Sequence, residues 1–433
     1  MSSSLDKYEP LREKYRFPSL LFDDDELRFL RSIREYVERY VIPKRLDIEG
    51  GWNRDKDLAI KTIDELYKRI VDLGVQKAFI PRKYGGFEQR YILELGLAEE
   101  LARGDPGFSL FVDRIPWFLA PFIAADRGDF LKEFSKKLDE PWTASVAITE
   151  PQGGANVEDP TQEGRSIRTK AELKNGEYIL NGHKIWPMGG PPEEFRWKYL
   201  KGILGYIVVA TTDPNKGREG IGLFYVPPDA KGLEFSKPYK KMGMCYVDSN
   251  VEIWLRNVRI PKEYRIASPG EDADIFYGLI SGTAKLADAA RCIGAAEAVF
   301  EILLEWISQR RIMGKPVREY SLFANIVGEM AMRLEAARSF YLLTCWMVEN
   351  SEVYGPPHSP TIVGRCGAAR AFACDVALWI MSKAMELMGA YGYSYEMEVE
   401  KFYRDTKIIQ LWLGGPQRDR LDNALSYYQF TWR

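Results

Sequence analysis

Four segments of the sequence combine glycine turns with side chains that suit the binding of a large planar ligand. They are AITEPQGGAN (147–156), LNGHKIWPMGG (180–190), RRIMGKPV (310–317) and MELMGAYGYSYEMEVEKFYRDTKIIQLWLGG (385–415). Thr149 and the backbone amides of its turn can hydrogen-bond a carbonyl-rich ring, which Trp186 can cover. Arg310 and Arg311 have the planar donor geometry that binds a pyrophosphate.

A group that could transfer a proton is harder to find in these segments. The closing turn, LWLGG, contains no acid, base or nucleophile, and the chain has only two histidines, His183 and His358. We therefore expect neither a His-based zinc site nor a Ser-His-Asp triad. Asp113 lies in the apolar stretch FSLFVDRIPWF, an environment that suits a catalytic carboxylate. Its alternative roles are a helix cap and a salt bridge to Arg114.

These residues are carried by helices at both ends of the chain and by strands in the middle. Apolar residues at steps of three and four predict a helix from Asp24, and helix-forming residues return in the last third. Short β-rich segments, with a hairpin signal at Asn175-Gly176, predict an antiparallel β-barrel or sandwich between them. The segment 191–202 interrupts the strands and is interpreted as a surface loop. We expect a mostly α fold with an N-terminal helical domain (1–140), a central β-domain (141–260) and a C-terminal four-helix bundle (261–433).

Composition excludes several classes of protein. The 433 residues are 46% hydrophobic and 28% charged, as in a globular protein, and a net charge of -2 provides no basic field for nucleic acid or anionic lipid. No apolar run is long enough to span a bilayer, and the first residues do not form a secretory signal. Five cysteines without a CxxC pair favour reduced thiols and a cytoplasmic location.

The order and spacing of the four segments resemble the acyl-CoA dehydrogenase family over nearly the full length of the chain. The family patterns are a TEPxxGSD turn, an LNGxKxWIxN hairpin, an RxxFGxP helix end and a C-terminal segment GxxGY…RDxKIxxIYEGT. The resemblance implies a flavoprotein that holds FAD between the β-domain and the C-terminal bundle and passes a hydride from an acyl-CoA to flavin N5. It also implies a homotetramer, in which a neighbouring subunit helps to bind the FAD, and an electron-transfer flavoprotein as electron acceptor.

The resemblance assigns cofactor and substrate contacts to individual positions, and it implies no metal. The flavin ring is expected to meet Val146, Ile148, Thr149, Ala155, Trp186 and Met188. The phosphate and adenine portion is expected near Arg310, Met313, Glu386, Gly389, Ala390 and Gln417. The CoA substrate is expected near Lys285, Leu413 and Gly414. Arg404 and Asp405 match the RD pair of the family and are expected to form an intramolecular ion pair.

The sequence departs from the family pattern at the reaction centre. The usual base is the Glu of the EGT turn, where this chain has Leu413, and a second family location for that Glu falls on Ala284. Other departures are Ala155 and Asn156 for Ser and Asp, Pro187-Met188 for Ile-Thr or Ile-Ser, and Gly415 for Thr. Because leucine cannot accept a proton, either the base has moved or the reaction has changed. Asp113 is our candidate for a moved base, and Asp288 is the weaker second candidate.

A base at Asp113 would meet a carbon of the acyl group beyond Cα. Loss of that proton is favourable when the substrate already has a 2,3-double bond, since the thioester then stabilises a γ-carbanion. Conjugated cyclic enoyl-CoA esters fit this expectation, and aromatic residues such as Trp117 and Trp412 can line a pocket for a ring. Two alternatives remain open: a flavin monooxygenase or oxidase of the same fold that uses dioxygen, and a non-catalytic scaffold.

Overall fold

The N-terminal region of the protein is helical. The computed structural model describes residues 8–153, 164–188 and 197–428. The α-helices of this region are α1 (Glu13–Arg16), α2 (Asp24–Tyr36), α3 (Arg45–Ile48), α4 (Lys56–Val71), α5 (Tyr91–Gly104), α6 (Pro106–Ala124) and α7 (Gly128–Lys137). Helix α2 begins with a capping box, in which Asp23 accepts from the amide of Glu26 and the Glu26 side chain accepts from the amide of Asp23.

Helix α6, which carries Asp113, is a core helix. Its length and composition would allow it to cross a membrane, but 72% of its apolar window is buried inside the protein. The Asp105 side chain caps the helix by accepting from the amide of Phe108, and Pro106 occupies the first turn, where no backbone donor is needed. The cap and the burial of α6 fix the position of Asp113 along the helix.

A seven-stranded sheet follows the N-terminal helices. Its strands are β1 (Thr143–Ala147), β2 (Lys170–Lys174), β3 (Glu177–Ile185), β4 (Ile203–Thr211), β5 (Ile221–Val226), β6 (Leu233–Phe235) and β7 (Glu252–Pro261). The strand order is β1-β4-β2-β3-β7-β6, and β5 pairs with β4. The predicted hairpin at Asn175-Gly176 is confirmed, since β2 and β3 are antiparallel with Lys174 opposite Glu177.

Two pairings in this sheet differ from the purely antiparallel arrangement that the sequence predicts. Strand β1 is parallel to β4, with Ala147 opposite Val208, and β2 meets β4 in parallel at Lys170 and Thr211. Parallel neighbours require long connections, so the local turn signals in the sequence do not reveal them. Strand β1 therefore lies at one end of the strand order, beside β4.

The C-terminal region returns to helices and confirms the predicted bundle. Its elements are α8 (Glu271–Ile275), α9 (Ala284–Gln309), β8 (Arg311–Ile312), β9 (Lys315–Pro316), α10 (Ser321–Glu349), α11 (Ser351–Tyr354), α12 (Pro360–Met388), α13 (Ala390–Tyr393), α14 (Val399–Leu411) and α15 (Gly415–Leu425). Helices α9, α10, α12 and α15 pack together as the four-helix bundle, and α14 lies against α9 and α12. Short 3₁₀ turns lie at Glu9–Leu11, Ile42–Lys44, Val75–Lys77, Arg82–Tyr84, Pro214–Gly220, Lys262–Tyr264, Val317–Glu319 and Tyr395–Met397, and π turns at Val37–Val41 and Phe276–Thr283.

Helix α5 of the N-terminal region packs closely on α9 of the bundle. At Gly294 of α9 an added Cβ would lie 2.1 Å from the carbonyl oxygen of Glu99 on α5, so only glycine permits this approach. A buried cluster of arginine and glutamate side chains, here called the arginine–glutamate cluster, surrounds the contact. Its members are Arg16, Arg34, Glu99, Glu100, Arg103, Glu297, Glu301 and Arg338. This contact sets the spacing of the two helices that carry much of the site described below.

The predicted surface loop at 191–202 lies partly outside the described residues, which resume at Trp197. Its last residues are anchored by Asp64 of helix α4. The Asp64 carboxylate accepts from the backbone amides of Lys198, Tyr199 and Leu200, at 2.6, 2.8 and 2.9 Å. The end of the insertion is therefore tied to the N-terminal helices.

Candidate active site

A cavity of about 530 Å³ lies between the β-domain, helices α5, α6 and α9, and the turn that follows α14. This volume is within the range of small-molecule sites. Three groups of residues line it: the ends of β1 and β3, the turn at 412–414, and a set of ionisable side chains on α5, α6 and α9. The sequence predicted most of the first two groups and part of the third.

The first wall forms where β1 ends and β3 turns away from the sheet. The amide of Ile185 donates to the carbonyl of Thr149 at 2.8 Å and ties the two segments together. Behind the wall, the buried Lys184 ammonium donates to the Ile148 carbonyl and to the Glu150 carboxylate, both at 2.8 Å. Burial alone would raise the pKa of Glu150, but the charge and hydrogen bond of Lys184 lower it below its usual value. The ion pair holds the cavity-lining residues Ile148 and Thr149 in place.

Trp186, which follows β3, is held in an unusual backbone conformation. Its φ of 62° lies in the left-handed region, which a residue with a side chain adopts only under constraint. The constraint comes partly from Asn250, whose amide donates to the carbonyls of Trp186 and Pro187 at 3.1 and 3.3 Å. The Trp186 ring stacks on Tyr239 with the centroids 4.2 Å apart. Together with Met188, this segment gives the cavity an apolar wall with fixed side chains.

The opposite wall contains the turn that closes the fourth sequence motif. Trp412, Leu413 and Gly414 line the cavity, and Leu413 also has a left-handed φ, of 50°. Gly414 and Gly415 follow with φ values of 85° and 71°, which glycine adopts without strain. Ala284 of α9 lines the same cavity. Both positions at which the family pattern carries a glutamate are therefore on the cavity wall, and both are aliphatic.

Helices α5, α6 and α9 bring three acids and one arginine to the cavity. We call this group the cavity carboxyl cluster: Glu94, Asp113, Asp288 and Arg291. Arg291 forms an ion pair with Asp113 and donates to Asp288 at 2.7 Å. Arg370, behind the wall, lies 3.4 Å from the other oxygen of Asp288. All four members of the cluster line the cavity. Within the described ranges, no group of three or more His, Cys, Asp or Glu side chains is arranged to hold a metal ion.

Asp113 is neither a helix cap nor the partner of Arg114. It lies inside α6, well past the cap at Asp105. Arg114 points elsewhere: it donates to the carbonyl of Val247 at 2.5 Å and lies 3.6 Å from Asp248. The ion pair that Asp113 does form, with Arg291, joins residues 178 positions apart.

Burial perturbs the ionisation of two members of the cluster. It raises the pKa of Asp288 to about 6, although Arg291 and Arg370 act in the opposite direction. Burial also raises the pKa of Glu94 well above its usual value, and the negative charge and hydrogen bond of Asp113 add to this effect. The raised pKa favours the protonated form of Glu94, which can donate a hydrogen bond to Asp113.

Glu94 and Arg291 are the two members that the sequence analysis did not identify. Each is a charged residue in a largely apolar helical segment, YILELGL for Glu94 and ADAARCIGA for Arg291. An isolated charge in such a segment is a signal of either a buried ion pair or a functional site. The sequence alone does not show that the two segments meet.

The remaining predicted positions do not line this cavity. The side chain of Lys285 is fully buried and binds Asp419 at 3.0 Å and Asp422 at 2.7 Å, so it is not available to hold CoA. The residues predicted to meet the phosphate and adenine portion lie on the surface of the C-terminal region, and Met313 is 94% exposed. This group comprises Arg310, Met313, Glu386, Gly389, Ala390 and Gln417. The predicted contact at Ala155 lies outside the described residues.

Comparisons with known proteins agree with this architecture. Family models match the acyl-CoA dehydrogenase N-terminal domain at residues 23–157, the middle domain at 145–258 and the C-terminal domain at 283–422. A short-chain-specific acyl-CoA dehydrogenase of Megasphaera elsdenii is 29% identical over 400 residues, which are 90% of this chain and 94% of the relative.

Solved structures share the fold. Butyryl-CoA dehydrogenase from Megasphaera elsdenii has a TM-score of 0.77 at 24% identity, over 94% of this chain and 98% of that one. An acyl-CoA dehydrogenase complexed with FAD, from Bacillus anthracis, has a TM-score of 0.78 at 21% identity, over 94% of this chain and 67% of that one. With all three domain models matched in order, the chain belongs to the acyl-CoA dehydrogenase family of FAD-dependent oxidoreductases.

Proposed function

We propose that this protein dehydrogenates an acyl-CoA thioester whose acyl group is a ring with a double bond conjugated to the thioester, and that Asp113 is the catalytic base. One observation carries the proposal. The two positions where the family pattern has its glutamate, Leu413 and Ala284, line the cavity with aliphatic side chains, while Asp113 brings a carboxylate to the same cavity.

The residues at the ends of β1 and β3 fit a flavin ring. Val146, Ile148 and Met188 offer an apolar surface, Trp186 offers an aromatic face, and Thr149 adds a hydroxyl group that can donate or accept. The bound FAD supplies the acceptor for the hydride that leaves the substrate. The expected contacts to its phosphates and adenine, such as Arg310 and Gln417, are exposed in a single chain, as they would be if a second subunit completed that part of the site.

Asp113 is the best base among the three acids of the cavity. The raised pKa of Glu94 favours its protonated form, which is not a base. Asp288 contacts Arg291 through one carboxylate oxygen and Arg370 through the other, so neither oxygen is without a cationic neighbour. Asp113 contacts a single guanidinium, that of Arg291, through Oδ2.

The position of Asp113 determines which proton it can remove. Asp113 lies on α6, a different wall of the cavity from the turn at 412–414 that holds the family's usual base position, so in this proposal it meets a carbon further along the acyl group than Cα. In a six-membered ring with a 1,2-double bond conjugated to the thioester, that carbon is C3, the γ position. Asp113 takes the C3 proton, the double bond moves to C2–C3, and a hydride leaves C6, which forms a C1–C6 double bond. The substrate loses one proton and one hydride, and the product is a conjugated diene thioester.

We also propose the partners that the family implies. The acyl-CoA is the substrate, an electron-transfer flavoprotein takes the electrons, and the assembly is a homotetramer in a cytoplasmic setting. Exposed apolar side chains on the C-terminal helices support a further subunit contact: Leu322, Met332, Leu343 and Phe372 are each at least 42% exposed. The five cysteines are free thiols, in agreement with a reducing compartment.

Anaerobic mixing of the holoprotein with defined thioesters tests the proposal. Cyclohex-1-ene-1-carboxyl-CoA should bleach the flavin absorbance, whereas butyryl-, octanoyl- and isovaleryl-CoA should not. Replacement Asp113→Asn should lower the rate of bleaching by about 10²- to 10⁴-fold, the range lost when a general base is removed. Asp126→Asn, at an exposed aspartate of the same region, is the matched control and should react as the wild type does.

Three results would contradict the proposal. Rapid bleaching by butyryl-CoA would show that no moved base is needed. Unchanged turnover of the cyclic substrate after Asp113→Asn would exclude Asp113 as the base. Substrate-dependent consumption of dioxygen at the turnover rate would favour the alternative of a monooxygenase or oxidase.

A further inference from the structure

We infer that Glu94 is a positioning residue for Asp113: it donates a hydrogen bond to the Asp113 carboxylate and holds it in the orientation that receives the substrate proton. The inference rests on the proposed function, because it takes Asp113 as the base. It adds a residue that the family resemblance did not assign and a pH dependence that the base alone does not predict.

The geometry places the two carboxyl groups side by side. Glu94 lies on α5 and Asp113 on α6, consecutive helices joined by the short break at Asp105. The side chains are hydrogen-bonded to each other, and both line the cavity. The close approach at Gly294 holds α5, the helix that carries Glu94, against α9.

The charges around Glu94 explain why it is the donor of the pair. Four ionisable groups face it: Asp113 from α6, Arg291 from α9, Tyr91 from its own helix and Cys345 from α10. Burial raises the pKa values of Tyr91 and Cys345 well above their usual values, so both stay neutral. Arg291 is then the sole cation in this group, and two carboxylates, Asp113 and Asp288, already neutralise it. A third negative charge at Glu94 is unfavourable, so the protonated form of Glu94 is favoured.

This arrangement gives Glu94 a defined part in the proton transfer. Its hydroxyl group fixes one side of the Asp113 carboxylate while Arg291 contacts Oδ2. When Asp113 accepts the proton from C3, the Glu94 proton stays where it is, and no other bond is made or broken at Glu94. If Glu94 loses its proton at high pH, the donor disappears and two adjacent carboxylates repel each other. The rate of flavin reduction should then fall on the alkaline side.

The test is the pH profile of flavin reduction by cyclohex-1-ene-1-carboxyl-CoA in stopped-flow experiments with the FAD-loaded protein. The wild type should show a fall in rate at alkaline pH. Glu94→Gln keeps a donor of the same size but does not titrate, so it should retain a rate within about 10-fold of the wild type at neutral pH and lose the alkaline fall. Glu94→Leu removes the donor and should lower the rate by about 10- to 100-fold, the loss expected for a hydrogen bond to a charged group. Glu352→Gln, at an exposed glutamate, is the matched control.

Several outcomes would overturn the inference. They are an alkaline fall that persists unchanged in Glu94→Gln, a wild-type rate without any alkaline fall, and a Glu94→Leu variant as fast as the wild type. If Glu94→Leu does not retain FAD, the comparison of the wild type with Glu94→Gln still tests the inference. Failure of the proposed function has a different signature, because it would appear as full activity in Asp113→Asn.

Discussion

Replacement of Glu297 by glutamine should lower the free energy of unfolding by about 3 kcal/mol at pH 7. Glu297, on α9, is fully buried at the centre of the arginine–glutamate cluster. Its carboxylate lies 2.8 Å from Arg16 and 3.3 Å from Arg34, and it also pairs with Arg338. Breaking a buried ion pair by removing one partner costs about 3–5 kcal/mol, because the remaining charges stay buried without compensation.

The pKa of Glu297 leads to a similar magnitude. Burial alone would raise this pKa, but the charges of Arg16, Arg338, Arg34 and Arg103 lower it from 4.5 to about 2. A difference of about 2.5 pKa units corresponds to about 3 kcal/mol of stabilisation of the ionised form. Since the folded-state pKa is the lower one, this stabilisation is fully present above pH 4.5. It is lost as the pH falls through about 2, where Glu297 is protonated in both states.

Urea unfolding followed by circular dichroism measures both effects. The difference in unfolding free energy between the wild type and Glu297→Gln should be about 3 kcal/mol at pH 7 and should shrink as the pH is lowered from 4.5 towards 2. Glu133→Gln, at an exposed glutamate that pairs with Lys136, should unfold as the wild type does. A difference below about 1 kcal/mol at pH 7 would refute the reasoning, as would a difference that stays constant across the acidic range.

Two further replacements test the cavity and the helix contact behind it. Leu413→Glu restores a carboxylate at the turn and should allow butyryl-CoA to bleach the flavin anaerobically; no gain in bleaching, with FAD still bound, would show that position 413 does not face Cα. Gly294→Ala places a methyl group against the carbonyl of Glu99 and should destabilise the protein by about 1–3 kcal/mol, measured as a lower melting temperature. Ala296→Ser, elsewhere on the buried face of α9, is a size-matched comparison for the glycine replacement, and an equal effect of both would argue against a contact specific to Gly294.

The order of helices and strands could be predicted because each rests on a local pattern. The helix at Asp24 follows from apolar spacing and its cap, and the β2–β3 hairpin follows from Asn175-Gly176. The parallel pairing of β1 with β4 could not be predicted in this way. It joins strands separated by two others in sequence, and no local turn signal specifies which strands become neighbours.

The same distinction holds for the site. The apolar wall at Ile148, Trp186 and Leu413 was predicted because a motif carries each residue. The partners of charged residues were not predicted, because an ion pair depends on which distant helix packs beside the charged residue. Arg404 and Asp405 illustrate this: they are adjacent, yet Arg404 binds Glu49 and Glu400, and Asp405 binds Lys401. The predicted role of these two residues in intramolecular ion pairs is therefore confirmed, but the sequence did not reveal their partners. Lys285 is a second example of a charged residue whose partners the sequence did not reveal. Its side chain binds two aspartates of α15, Asp419 and Asp422.

The charge balance of the cavity bears on the direction of the proposed proton transfer. Asp113 and Asp288 share one cation of the cluster, Arg291, while Arg370 lies behind the wall beside Asp288 and the raised pKa of Glu94 favours its neutral form. Uptake of the substrate proton by Asp113 removes one negative charge from the cluster. A buried site disfavours net charge, so burial promotes transfer to Asp113. The acids of α5, α6 and α9 can thus accept one proton on the helical wall of the cavity.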